Sequence, residues 1–240
     1  MSKLGLASNL QDEIGNVEDH YKLFKDVVDL YTVVDSGSTD GTQDKLKELW
    51  GSKLNLIQSD EIKINGYGFA RTHLVELSED MDWVLIIDGD ERILPNDILK
   101  LKGLVDMNPD YDLIRLPRCH YQDFEMTKVE YGSMDRIGSD WREAISINPD
   151  YQPRLIRRTM INGKSKVQFF RRVHELVNGV DREFRDLNNP VIRHFGFLKS
   201  KERLQMVSRL CESLWYMDKA NEPIKLYEEV CKENNWKIVK

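Results

Sequence analysis

Two acidic clusters stand directly behind apolar runs of strand length. Tyr31-Thr32-Val33-Val34 leads into Asp35-Ser36-Gly37-Ser38-Thr39-Asp40-Gly41-Thr42, and Trp83-Val84-Leu85-Ile86-Ile87 leads into Asp88-Gly89-Asp90-Glu91. A short β-branched run closed by Gly, Ser and Asp reads as a buried parallel strand feeding a turn. In an open α/β sheet, ligands bind in the crevice outside the carboxyl ends of the strands. Carboxylates at two such ends therefore predict a nucleotide and a divalent cation. In Asp88-Gly89-Asp90, strand alternation directs both carboxylates the same way, and Gly89 leaves space for close approach of a ligand. Oxygen ligands on a rigid strand end suit a hard cation, which neutralises a departing diphosphate without any proton transfer. An isolated Asp-X-Asp is equally a solvated turn, with Asp90 or Glu91 serving only as a turn or helix-entry residue. The second cluster at Asp35 shifts that balance.

Between Tyr151 and Arg172 lie Arg154, Arg157, Arg158, Lys164, Lys166, Arg171 and Arg172, with no acid among them. Guanidinium forks match phosphate oxygens, so Arg157 and Arg172 are expected at a diphosphate. A solvated strand face accounts for much of the remaining charge. A third reading pairs the stretch with Phe169-Phe170, Tyr121, Phe124, Tyr131 and Trp141 as stacking surfaces for a polyanionic acceptor such as DNA or a phosphorylated glycolipid. His194 closes an apolar run ahead of Phe195-Gly196, where a metal or diphosphate ligand fits. His20, His73 and His120 have no partner pattern and read as structural or exposed.

These residues need a sheet to hold them. A first strand is expected over Lys3–Ala7 and a helix over Val17–Val28, followed by the strand ending at Asp35. Thr39 or Asp40 should cap a helix reaching Trp50, with Gly51 as its stop and Leu54–Ile57 as the next strand. The order βαβαβ is the doubly wound pattern. Gly66-Tyr67-Gly68 reads as a loop ahead of a helix over Phe69–Leu77. Pro95 and Asn96 open another helix through Leu104, and Tyr111–Leu116 is a strand by composition. Residues 119–149 resist assignment and could hold an acceptor-contacting insertion. Asn162-Gly163 predicts a hairpin turn joining strands Tyr151–Ile156 and Val167–Phe170. Beyond the run Val191–Phe197, a helix from Ser200 to Asp218 carries an apolar stripe of Leu204, Val207, Leu210, Leu214 and Met217, and an amphipathic segment follows around Ile224–Val230.

The 240 residues suit one α/β domain, expected over 1–198, with a helical extension over 199–240 packed on it. A formal charge of -6 argues against a chain that coats nucleic acid or hugs membranes as a whole. The longest apolar run falls well short of the ~20 residues a bilayer span needs, and the N-terminus turns polar at Ser8-Asn9. A cytoplasmic protein without a transmembrane segment is expected. Cys119, Cys211 and Cys231 lack disulfide or zinc spacing. The oligomeric state stays open.

The stretches Val33–Thr42, Phe69-Ala70-Arg71 and Asp82–Glu91 resemble, in order and spacing, the glycosyltransferase family 2 enzymes with the GT-A fold. Pro153-Arg154-Leu155-Ile156-Arg157-Arg158, Val173-His174-Glu175 and Ile192–Phe197 look like later signatures of a branch that includes lipopolysaccharide-core glucosyltransferases and peptide S-glycosyltransferases. The likeness runs from about residue 4 to about residue 218. It implies a Rossmann-like, mixed and mainly parallel α/β sheet flanked by helices, a nucleotide-diphosphate sugar donor (most often a UDP-sugar), Mn2+ or Mg2+, and inversion at the anomeric carbon. It assigns Asp35, Ser38 and Asp40 to the nucleotide-sugar site, with Asp35 at the nucleoside, Asp88 at the ribose, Asp90 at the metal and Arg71 at the base or phosphates.

An inverting displacement needs a base for the acceptor proton. The branch's His-Glu signature assigns that role to Glu175, with His174 in support; on local sequence alone Glu175 reads equally well as a surface carboxylate. The chain departs from the family in having Ser8-Asn9-Leu10-Gln11 where Lys-Asn-Glu is usual, and Thr72 where the branch has Asn. A saccharide or glycolipid acceptor leads. The alternatives are hydroxymethylated bases of viral DNA as acceptor, or a catalytically degenerate nucleotide-sugar-binding module. A nucleotidyltransferase is disfavoured, because no glycine-rich basic loop follows the first strand.

Overall fold

The computed structural model describes residues 1–122, 142–144, 150–172, 176–186 and 188–194, together with 205, 208–214, 229, 232 and 233. Outside the described residues lie His174, Glu175, Phe195–Phe197, Phe124, Tyr131, Trp141, the expected domain boundary at 198/199 and most of the expected C-terminal helices. In chain order the elements are β1 (Leu4–Leu10), α1 (Ile14–Phe24), β2 (Leu30–Asp35), α2 (Thr42–Trp50), β3 (Leu54–Gln58), α3 (Glu61–Leu77), β4 (Trp83–Ile86), β5 (Glu91–Ile93), α4 (Pro95–Ile98), α5 (Lys100–Met107) and β6 (Leu113–Gln122). They continue with β7 (Arg142–Ala144), β8 (Asp150–Arg157), β9 (Met160–Ile161), β10 (Lys164–Ser165), β11 (Gln168–Phe170), β12 (Leu176–Asn178), β13 (Glu183–Arg185) and β14 (Ile192–His194).

The main sheet is mixed, with the order β3-β2-β1-β4-β8-β6-β14-β5 and with β7 and β13 both joined to β6. Its parallel half, β3-β2-β1-β4, forms because each strand returns through a helix. β8 then runs antiparallel to both β4 and β6. Alternation divides the core into two layers. Leu4, Leu6, Leu10, Tyr31, Val33, Trp83, Leu85 and Ile87 pack with α1, α2 and α5 on one face. Ala7, Val34, Val84 and Ile86 pack with Leu74 and Val75 of α3 and Phe169 of β11 on the other. Each buried Leu, Ile or Val contributes about 1.5–3 kcal/mol relative to exposure, so this two-sided burial fixes the register that brings β2 and β4 to one edge.

Three local expectations change. The loop expected at Gly66-Tyr67-Gly68 is a kink inside α3, at Gly66 with φ +82 and ψ -178. The helix expected to run from Pro95 through Leu104 is divided into α4 and α5. The Asn162-Gly163 turn joins β9 to β10; both residues have positive φ, as a type I′ hairpin turn requires. β8 instead belongs to the main sheet, and β11 pairs with β12. The turn chemistry holds, but the run before it is claimed by the distant strands β4 and β6 and the run after it by the nearer β12.

Candidate active site

β2 delivers Asp35 fully buried at its carboxyl end. Its Oδ1 accepts hydrogen bonds from the backbone N–H groups of Gly37 (3.0 Å) and Ser38 (2.9 Å) and from Gln43 Nε2 (2.7 Å), and its Oδ2 accepts from Ser38 Oγ (2.5 Å). Asp35 therefore folds the loop that follows it, and Gly37, with φ +90, lets the chain turn there. Ser38 Oγ also accepts from the Asp12 N–H, 2.8 Å away. Asp40 ties two helix starts together, accepting from Thr42 N–H and Oγ1 at Oδ1 and from Ile14 N–H at Oδ2. Burial pushes its carboxyl up, but the bonds from Thr42 and Ile14 outweigh this and hold it below the usual range. Lys63 of α3 reaches the same loop, donating to Ser36 O at 2.6 Å and Asp60 Oδ1 at 2.8 Å.

β1 lies between β2 and β4, so the ends of β2 and β4 are two strands apart, about 10 Å. Beyond β4 the chain leaves strand conformation and closes a turn, with the Glu91 N–H donating to Asp88 O at 3.0 Å. The expected strand alternation of Asp88 and Asp90 is replaced by this turn, and their surroundings separate them. Arg71 Nη2 donates to Asp88 Oδ2 at 2.7 Å, and Arg154 Nη2 donates to the same oxygen at 3.1 Å and to Glu91 Oε1 at 2.6 Å. Glu91 Oε2 accepts the Asp88 N–H at 3.0 Å. Glu91 and Arg154 are fully buried. Burial raises the Asp88 pKa and Asp90 adds to that, but Arg71 and Arg154 prevail and hold it at about 2.

Asp90 lies beside His194, with 3.7 Å between Oδ1 and Nε2 and only 14% and 18% of the two side chains exposed. Antiparallel pairing of β14 with β5, His194 opposite Glu91, sets this approach. One carboxylate and one imidazole at that separation fit two positions around a divalent ion. Among the described residues no cluster of three or more His, Cys, Asp or Glu could hold a metal alone. A divalent ion held here would have to complete its shell from a bound ligand and water.

α3 also holds the β11–β12 hairpin. Cβ atoms added at Gly66 and Gly68 would stand 2.3 Å from Arg172 Cα and 2.4 Å from Arg171 O, so only glycine admits the 170–172 backbone. Tyr67 N–H donates to Arg172 O at 2.8 Å, and Thr72 Oγ1 accepts from the Phe169 N–H at 2.8 Å. Thr72, the departure from the family pattern, thereby docks β11. Arg172 is thus seated one helical turn from Arg71. Arg157 is not brought to the cluster. It pairs opposite Trp83 at the start of β4, about 16 Å of strand from Asp88, and its guanidinium donates to Pro109 O.

The sequence reading missed Glu91, Arg154 and Lys63 as parts of this edge. For Arg154 a signal existed: it stands in the register of Ile156, directly before the apolar pair Leu155-Ile156. An arginine there must meet buried carboxylates.

Among the described residues no helix is long and apolar enough to cross a membrane. No curated protein matches the chain. Among solved structures it is similar to S. aureus TarS 1-349 (13% identity, 88% of this chain and 65% of that one, TM-score 0.48). It is also similar to a mycobacterial protein (15%, 93% and 76%, TM-score 0.49). A third is M. tuberculosis glucosyl-3-phosphoglycerate synthase in complex with Mg2+ and uridine-diphosphate (20%, 49% and 44%, TM-score 0.37). In the TarS 1-349 complex with UDP-GlcNAc and in the synthase, the match spans about a third to under half of those chains. The model of the family described as glycosyl transferase family 2 matches residues 29–175, more than half of the chain and including both acidic clusters, and the chain belongs to that family.

Proposed function

We propose that the chain is a metal-dependent, inverting glycosyltransferase of the GT-A type that moves a sugar from a UDP-sugar to a saccharide or glycolipid hydroxyl. Residues 1–198 form its catalytic domain and 199–240 a helical extension. The observation that carries this reading is the turn at the carboxyl end of β4, where Arg71 and Arg154 hold Asp88 while Asp90 stands beside His194, on the same sheet edge as the Asp35 loop. Family membership supports the reaction class. The UDP and divalent ions in the complexes of the similar synthase agree with the donor and cofactor.

On this reading the Asp35 loop, with Ser38 and Asp40, shapes the nucleoside pocket, and Asp88 and Arg71 border the ribose and phosphates. Arg172 approaches the diphosphate from the hairpin seated on α3. Asp90 and His194 would hold Mn2+ or Mg2+, which when bound would supply neutralisation of the departing diphosphate. The acceptor hydroxyl attacks the anomeric carbon from the face opposite the leaving group. The carbon–oxygen bond to UDP breaks as the new one forms, and the hydroxyl proton passes to Glu175.

The test is thermal stabilisation by UDP, GDP, CMP and dTDP, each with and without Mn2+, on wild type and on Asp90→Ala and Glu175→Gln. The expected pattern is a Mn2+-dependent shift with UDP that is lost in Asp90→Ala and kept in Glu175→Gln, whose sugar transfer falls by at least about a hundredfold. Absence of a shift with every nucleotide would sink the donor assignment. Near-normal turnover by Glu175→Gln would remove that residue from the role.

A further inference from the structure

Behind the acidic turn, on the face opposite Arg71 and Arg154, a buried polar network joins the turn to α1. Arg92 is 3% exposed. Its Nη1 donates to Gly89 O and Glu91 O, both at 2.8 Å, and approaches His20 Nε2 at 3.0 Å. Its Nη2 donates to Asn16 Oδ1 at 2.5 Å and Asp19 Oδ2 at 3.3 Å. Asn16 Nδ2 in turn donates to Glu13 Oε2, and the carbons of Glu13 lie 2.9 Å from where a Cβ on Gly89 would stand. Ser8 Oγ donates to Ile87 O at 2.5 Å and accepts from Tyr31 Oη at 3.0 Å, which lies 3.3 Å from His20 Nδ1. His20 Nε2 also stands 3.1 Å from Glu91 O, so the imidazole bridges the turn to Tyr31, and Tyr31 and Ser8 carry the connection on to Ile87 O. His20 is neutral: burial, and then the adjacent Arg92, lower its pKa to about 3.

The carbonyls of Ile87, Gly89 and Glu91, which flank Asp88 and Asp90, are thus all held from the α1 side. A guanidinium is suited to this place because its planar fork reaches the turn with one nitrogen and α1 with the other. Packing does not demand an arginine here. A buried charge tied to two carbonyls, an amide and a carboxylate is costly to desolvate, and apolar residues of similar volume in place of the whole set of side chains would serve a purely structural purpose as well.

We propose that Arg92, anchored by Asn16 and Asp19, is a positioning residue that fixes the Asp88–Glu91 turn so that Asp90 meets the donor-bound cation. The inference rests on the function proposed above. Partners outside the first coordination sphere typically set metal affinity by about 10–100-fold, and that is the size of effect at stake.

The test measures Mn2+ affinity by electron paramagnetic resonance in saturating UDP, and UDP affinity in EDTA, for wild type, Asn16→Ala, Arg92→Lys and Arg92→Met. Ser78→Ala serves as the control, because it removes buried hydrogen bonds to Thr32 and Leu74 far from the turn. Asn16→Ala leaves Arg92 on the turn with its shortest anchor removed and only Asp19 opposite Nη2, and is the informative variant should Arg92→Met not fold. The expected result is a loss of Mn2+ affinity of about tenfold or more in Asn16→Ala, with Arg92→Lys falling less than Arg92→Met. Metal-free UDP binding should be unchanged, and Ser78→Ala should lose melting temperature but not Mn2+ affinity. If wild type binds Mn2+ with UDP and Asn16→Ala binds it equally well, the positioning role is overturned and the function stands. If wild type itself binds no Mn2+ with UDP, both fall.

Discussion

Replacing Asp88 by Asn keeps the shape of the side chain and removes the charge that Arg71 and Arg154 hold at 2.7 and 3.1 Å. In wild type, burial raises the carboxyl's pKa and the two guanidiniums more than reverse this, leaving it at about 2. The unfolded value lies near ~4. Because the folded value is the lower one, the ionised carboxylate stabilises the fold above about pH 4, and this contribution is lost as the pH falls through about 2. A difference of a little under two pH units, at about 1.4 kcal/mol each, gives about 2 kcal/mol near pH 7 and roughly half of that near pH 3. Chemical denaturation of wild type and Asp88→Asn at several pH values measures the gap directly. A stability gap of about 2 kcal/mol at neutral pH that narrows to about 1 near pH 3 is expected. A gap of equal size at both would refute the reasoning, since it would mean that the side chain's shape, and not its charge, carries the contribution.

Gly68→Ala should force the 170–172 backbone off α3, because the added Cβ would meet Arg171 O at 2.4 Å and backbone cannot yield as a side chain can. A destabilisation of about 1–3 kcal/mol is expected, together with a fall in kcat for sugar transfer larger than any change in donor KM; wild-type kinetics would show that the seat of the hairpin is irrelevant to turnover. Arg157→Gln, exposed and at the far end of β4, should change stability by no more than about 0.5 kcal/mol and leave the Mn2+-UDP thermal shift intact. Loss of the shift would return Arg157 to the site.

How far the site is legible in the sequence depends on the range of the interactions involved. The strands before Asp35 and Asp88 are local patterns: β-branched runs with turn residues behind them predict both the elements and their common edge, and the sheet places them so. The partners of those aspartates are not local. Arg154 reaches Asp88 across 66 residues and Arg92 reaches Asn16 across 76, and no periodicity in a window of helix or strand length contains either pairing. The mixed half of the sheet is opaque for the same reason. Tyr151–Ile156 and Val167–Phe170 look like hairpin arms because a good turn lies between them, yet β8 finds more to bury between β4 and β6 than any local partner could offer. Gly66 and Gly68 read as a loop because glycine's usual local meaning is a chain reversal. Their actual meaning is close approach of a second backbone, a tertiary fact with the same residue signature.

The arrangement of charge around the turn has a consequence for the order in which ligands bind. Asp88 and Glu91 are matched by Arg71 and Arg154, and Arg92 lies against Asp19 and the carbonyls behind. The turn is therefore close to balanced before any ligand arrives, and it lacks the concentrated negative field of a site that captures a cation by itself. On the proposed reading, Asp90 and His194 supply only two ligands to a small divalent ion that strongly prefers six, and the diphosphate must supply others. The free energy that the diphosphate gives the metal is by linkage the same free energy that the metal gives the diphosphate. Metal and donor are then each weak ligands alone and strong ones together. Arginine-held carboxylates serve that design better than open ones, because they keep the turn rigid without raising its affinity for a cation that arrives without its sugar nucleotide.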